Sequence, residues 1–135
     1  KFVERMYKAA IKNVTGGLTT VWNGHTIEWG GKWKTVDYAK TFKAGVGLDP
    51  ITASDKALRA KAVEMDIELE ESAGRGRIID SLFKKVRHTL IQPCFLIDPP
   101  VEIEPLAKRS RKNSKKRGFF LQLMSMACIQ HFRLV

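Results

Sequence analysis

"IQPCFLIDPPVEIEPLAKRSRKNSKK" runs from Ile91 to Lys116. Its apolar run "CFLI", residues 94–97, has the length and composition of a buried strand. Pro93 precedes the run, and Asp98, Pro99 and Pro100 follow it. Proline carries no amide hydrogen for a strand ladder, so prolines at both ends delimit the strand and bend the chain out of it. Glu102 and Glu104 come next, and a spacing of two puts them on one face only of an extended chain. No His, Cys or Ser stands at a spacing that would make them a catalytic acid/base pair. Pairing with Lys108 or Arg109, or with backbone donors, is the expected role. Then seven of the ten residues 108–117 are Lys or Arg.

That tract accounts for the charge of the whole chain. The net charge is +10 over 135 residues, yet residues 105–135 hold eight cations and no Asp or Glu, leaving 16 cations against 14 anions elsewhere. A local cationic tract favours phosphate-bearing partners. The competing reading is a solvated loop, 108–118.

Working back from the strand, Ile78, Ile79, Leu82, Phe83, Val86 and Leu90 recur at helical spacing and predict a helix over 77–91. The "GRGR" before it lacks a preceding strand and a following G-K-[ST], so it reads as a flexible helix start rather than a phosphate loop. Leu58, Ala62, Met65 and Leu69 predict a helix over 54–70 starting at Ser54, with "EMDIELEES" as its solvated end. Tyr38, Ala39 and Phe42 predict a short helix over 36–44, capped by Thr35 and ended by Gly45. "LTTVWNGHTIEW", residues 18–29, predicts a β-hairpin about Asn23-Gly24, because both turn positions need positive φ. Its pairing puts Leu18, Thr20 and Trp22 on one face with His25, Ile27 and Trp29, a face suited to covering a core. Phe2, Val3, Met6, Tyr7, Ala10, Ile11 and Val14 predict an amphipathic helix over 1–14, closed by Gly16-Gly17. "FFLQLMSM", residues 119–126, is a candidate second strand antiparallel to the first. The fold class is therefore α+β, an antiparallel sheet flanked by helices, and not a regular βαβ alternation.

The length suits about one domain. The start at Lys1 inside a helical pattern and the ending "IQHFRLV" suggest an excised piece, and such a piece is expected to leave apolar surface unmatched. Cys94 and Cys128 form neither a disulfide framework nor a zinc spacing, which favours a reduced, cytoplasmic setting. No signal peptide is expected from the opening residues, and no run of about 18 apolar residues suggests a membrane span.

"GRIIDSLFKKVRHTLIQPCFLIDPPVEIEPLAKR" resembles the stretch of class II lysyl-tRNA synthetases between their second and third signature motifs. In that family a helix G-x-[IL]-[IL]-[DE]-x-[LF] leads to a strand [IN]-x-P-T-F-[IL]-x-[DE]-[HY]-P and then to x-E-[VI]-S-P-L-A-[KR]. Pro93, Phe95, Leu96, Asp98, Pro100, Glu102, Pro105, Leu106, Ala107 and Lys108 match. Cys94, Pro99 and Glu104 depart from it. "KFVERMYKAAIKNVTG" and "NGHTIEWGGKWKTVDYAKTFKAGVGLD" resemble the preceding helix, hairpin and insert more loosely. The resemblance implies a partial class II catalytic domain over 1–116 and a tail of uncertain register over 117–135.

It further implies a whole enzyme that joins lysine to ATP and transfers the lysyl group to tRNA, as a homodimer, with ATP and Mg²⁺ as cofactors. Pro93, Phe95, Asp98, Pro100, Glu102, Pro105, Leu106 and Ala107 would form the active-site strand and its bend. Lys108, Arg109, Arg111, Lys112, Lys115, Lys116 and Arg117 are the candidate phosphate or tRNA contacts. The family's ATP clamp would precede Lys1, and its glycine-rich third motif would follow Val135. Its Mg²⁺-binding Glu and its Asn…Glu pair are expected where this chain reads "KKRGFFLQLMSMACIQHFRLV", which holds no acidic residue and no Asn. The expectation is thus no catalytic residue and no metal ligand in this chain, no tight cofactor binding, and inactivity in isolation. The alternatives are a basic RNA-binding module without catalysis and a decayed, non-catalytic synthetase copy.

Overall fold

The computed structural model describes residues 2–103 and 122–124. They form helices α1 (Phe2–Thr15), α2 (Tyr38–Val46), α3 (Asp55–Glu64) and α4 (Arg75–Val86). The strands are β1 (Thr19–Trp22), β2 (His25–Glu28), β3 (Lys34–Asp37), β4 (Cys94–Ile97) and β5 (Gln122–Met124). The fold is mixed helix and sheet. β1 and β2 form one sheet, and β3, β4 and β5 are neighbours in that order in another. The described residues divide into two compact units: 2–35 with 90–95 and 123–124, and 36–89 with 96–103 and 122.

In the first unit, α1 ends where Gly16 turns left-handed at φ +77° and donates to the carbonyl of Lys12 at 2.9 Å. The hairpin has its expected two-residue turn. Asn23 and Gly24 take φ of 47° and 77°, and Trp22 faces His25 while Thr20 faces Ile27. Ile27, Trp29, Trp33 and Phe95 are the buried centre, and Val3, Tyr7, Ile11, Leu18 and Trp22 pack on it. The aromatic hairpin face thus covers core, while His25 is exposed. Trp33 gathers the cluster, with ring centroids 5.9 Å from Trp29, 5.4 Å from Phe95 and 6.1 Å from Tyr7. Its indole NH donates to the Trp29 carbonyl at 3.0 Å. Tilted aromatic pairs of this kind add about 0.5–1.5 kcal/mol each beyond the area they bury.

In the second unit, α2 and α3 pack against α4. Phe42, Val46, Leu58, Ile78, Ile79, Leu82 and Leu96 are essentially inaccessible. Tyr38 stacks on Phe83 at 4.1 Å. Gly45 gives α2 its close approach to α4: a Cβ there would stand 2.6 Å from Val86 Cγ2. That glycine lies inside α2 and does not end it; Gly47 does, at φ +83°.

Three element boundaries differ from expectation. Residues 34–37 are a strand where a helix from 36 was expected, so Asp37 and not Thr35 caps α2, accepting from Lys40 N at 2.9 Å. Pairing of β3 with β4 holds those residues extended. α3 starts at the Ser54 cap as expected but stops at Glu64, not at 70. Asp66 turns left-handed at φ 54°, and Arg59 reaches over to the carbonyls of Glu70, Glu71 and Ala73, which gives the acidic stretch a non-helical path. The helix expected over 77–91 begins two residues earlier, at Arg75, and tightens into a 3-10 turn, Arg87–Thr89, before Pro93.

Candidate functional site

The approach to β4 is held by one side chain in the first unit. Gln92 Nε2 donates to the Thr26 carbonyl at 2.9 Å, and its Oε1 accepts from Glu28 N at 3.0 Å. The amide supplies the donor and acceptor that a neighbouring strand would offer to the edge of β2. Pro93, Cys94 and Phe95 follow, all buried. Phe95 packs in the tryptophan cluster. Burial pushes the Cys94 thiol pKa up, which keeps the thiol protonated and unreactive.

Leu96 carries the chain into the core of the second unit, and the bend begins there. Asp98 is left-handed, with φ 55°, a conformation that Asp tolerates better than most residues. Pro99 and Pro100 are buried, and Pro100 accepts from Ile103 N at 3.1 Å, which closes a turn. Glu102 stands exposed at the turn's tip.

Two residues at the start of α4 meet that tip. Arg75 reaches the Asp55 carboxylate, the Pro50 carbonyl at 2.8 Å and Glu102 Oε1 at 3.8 Å. Gly76 lies against the Glu102 backbone, and a Cβ on it would be 2.5 Å from the Glu102 carbonyl oxygen. The "GRGR" stretch is therefore a docking point for the bend, not a flexible start. Sequence reasoning missed Arg75 and Gln92 because their partners lie 20 or more residues away. It also missed Lys8, whose ammonium donates to Glu4 at 2.7 Å and to the carbonyls of Gly30 and Gly31 at 3.1 and 2.8 Å.

The structure places Pro93 and Phe95 in the first unit and Asp98, Pro100 and Glu102 in the second. Pro105, Leu106, Ala107, Glu104 and the cations Lys108, Arg109, Arg111, Lys112, Lys115, Lys116 and Arg117 lie outside the described residues, as does the basic loop 108–118. Among the described residues no group of three or more His, Cys, Asp or Glu could hold a metal ion. Glu102 stands alone beside the Arg75 guanidinium, short of the several oxygen ligands that Mg²⁺ takes, so the described residues of the bend do not fit Mg²⁺. What the described geometry provides is a bent strand exit docked on the start of α4.

The sequence of the chain as a whole is similar to those of known proteins. The chain is 36% identical over 115 residues to a lysine–tRNA ligase of Roseiflexus castenholzii, covering 81% of this chain and 23% of that protein. The chain belongs to the lysine–tRNA ligase family, as the counterpart of one segment of its members. Similarity to the Carboxydothermus hydrogenoformans lysine–tRNA ligase is 37% over 112 residues, 82% of this chain and 23% of that protein. For the Staphylococcus aureus lysine–tRNA ligase it is 32% over 114 residues, 83% and 23%. The chain thus spans about a quarter of the curated relatives it matches. No protein-family model matches it. Among the described residues no helix is long and apolar enough to cross a membrane.

Proposed function

We propose that the chain supplies part of a class II lysine–tRNA ligase catalytic body, the part between the ATP-clamping motif and the glycine-rich third motif. The complete enzyme activates lysine with ATP and Mg²⁺ and charges tRNA, as a cytoplasmic homodimer. The observation that carries this reading is the identity of 36% over 115 residues with a protein of that name. It is joined to a proline-bracketed strand whose bend docks on the start of α4. Adenylate formation is in-line attack on a phosphate, and positioning with charge stabilisation supplies most of its acceleration. The bend is a positioning element for that cleft. The ATP clamp is expected outside the matched segment, and residues 117–135 hold none of the carboxylates that Mg²⁺ and the lysine ammonium need, so the chain alone binds no cofactor tightly and is inactive.

The test is lysine-dependent ATP–pyrophosphate exchange by two proteins: this chain, and a chimaera in which residues 1–116 replace the matching segment of the Roseiflexus enzyme. Exchange by the chimaera and none by the chain is expected. A folded chimaera without exchange overturns the assignment, and exchange by the chain alone overturns its dependence on the missing segments.

The concentration of eight cations in residues 105–135 favours a second reading, an RNA-binding module without chemistry. Filter binding to tRNA at two salt concentrations tests it. A steep loss of affinity with salt supports it, and absent or salt-insensitive binding removes it.

A further inference from the structure

The apolar stripe of α1 is wider than the surface that covers it. Val3, Tyr7 and Ile11, spaced by four, pack on the tryptophan cluster. Beside them runs a second ridge, also spaced by four: Phe2, Met6, Ala10 and Val14. All four are exposed, Phe2 by 72% and Val14 by 85%. Ridges at four-residue spacing are what a helix inserts into the grooves of a packed neighbour. A helix face meant for water would carry its charges there. On α1 the charged residues lie off this ridge: Glu4 and Lys8 on the covered side, Arg5 and Lys12 beyond it. Sequence pattern and packing therefore disagree by one ridge.

The relatives supply the occupant. Each is about four times as long as the segment matched here, since that segment covers 23% of them. We infer that the Phe2–Met6–Ala10–Val14 ridge is an internal packing face, covered in a complete ligase by the same polypeptide outside the matched segment. This rests on the family reading given above, and it adds which surface of this chain meets the rest of the body. A second copy of the chain is the competing occupant.

Hydroxyl-radical footprinting read by mass spectrometry at Met6 decides between them, using this chain alone and the Roseiflexus chimaera. In the chain alone Met6 oxidises readily, independently of protein concentration. In the chimaera its oxidation falls several-fold. Equal oxidation in the two proteins overturns the proposal, and so does protection in the chain alone that grows with concentration alongside a dimer in sedimentation. ATP–pyrophosphate exchange separates the two claims. An active chimaera with an unprotected Met6 sinks only the packing face, whereas a protected Met6 without exchange sinks only the activity.

Should the chimaera not fold, the Roseiflexus enzyme itself serves, with lysine placed at the positions matching Met6 and Ala10. A clear fall in its melting temperature supports the buried face, and an unchanged melting temperature overturns it. In this chain Met6→Lys leaves the melting temperature unchanged, because Met6 is half exposed and no described residue covers that ridge.

Discussion

Gly76 and Glu102 are in backbone contact: the space a Cβ would take at residue 76 lies 2.5 Å from the Glu102 carbonyl oxygen. The start of α4 is thereby fitted to the proline bend with no room for a methyl group. Arg75 adds its ion pair to Glu102 from the neighbouring position, at 3.8 Å. That pair is half-exposed and worth little in isolation. The close approach of two backbones is the stronger constraint.

Gly76→Ala therefore sets two effects against each other. Alanine is the better helix former by about 1 kcal/mol in a helix interior. Overpacking against a backbone that cannot rotate away costs about 1–3 kcal/mol. The clash wins, and the urea midpoint falls. Gly17→Ala serves as the control, since nothing lies within 4 Å of a Cβ there and its φ is not positive. A midpoint for Gly76→Ala equal to or above that of the parent chain would show that the bend does not dock on α4.

Local chemistry was legible and long-range contact was not. Asn23-Gly24 announces its turn because positive φ at two adjacent residues is a property of those residues alone. Ser54 announces its cap for the same reason. The sequence pattern puts the cap of α2 at Thr35, whereas the structure puts it at Asp37, two residues on. Strand pairing by β3, with a partner some 60 residues on, moved the helix start. Arg59, Arg75 and Gln92 each act on backbone carbonyls or amides far along the chain, and a backbone partner leaves no trace in side-chain spacing. The candidate site divides in the same way. Prolines and the apolar run mark the strand and its bend, but nothing in "GRGR" marks the surface that the bend sits on.

Gln92 tests whether a side chain completes the hairpin edge. Gln92→Leu removes both bonds, to Thr26 and Glu28, and is expected to cost about 1 kcal/mol per bond because water replaces part of each at an exposed site. Gln92→Glu keeps the acceptor for Glu28 N but sets a carboxylate against the Thr26 carbonyl. At neutral pH it is as unstable as the leucine variant. It recovers as pH falls through the carboxyl's ordinary range, about 4.3, because the protonated acid donates again. Urea titrations at the two pH values read this directly, each against the parent chain at the same pH. A glutamate variant with no such recovery would show that the donated bond contributes nothing.

Tyr38 gives the fold an alkaline limit. It is 2% exposed, and its hydroxyl has no hydrogen-bond partner among the described residues. Burial raises its pKa well above the ordinary tyrosine range. The nearby Asp80 carboxylate raises it further, and Arg87 partly opposes this. A phenol whose pKa is higher folded than unfolded holds its proton more tightly in the folded state. The resulting stability is complete below the unfolded value, about 10, and is lost as pH rises from there towards the folded value. With two tyrosines in the chain, phenolate absorbance from Tyr38 should appear only together with loss of the near-ultraviolet signal of the packed aromatics. Tyr38→Phe keeps the stack on Phe83, removes an unpartnered buried hydroxyl, and should be at least as stable as the parent at neutral pH while losing that alkaline step. Reversible ionisation of both tyrosines near the ordinary value, with the fold intact, would show that the Tyr38 hydroxyl reaches water.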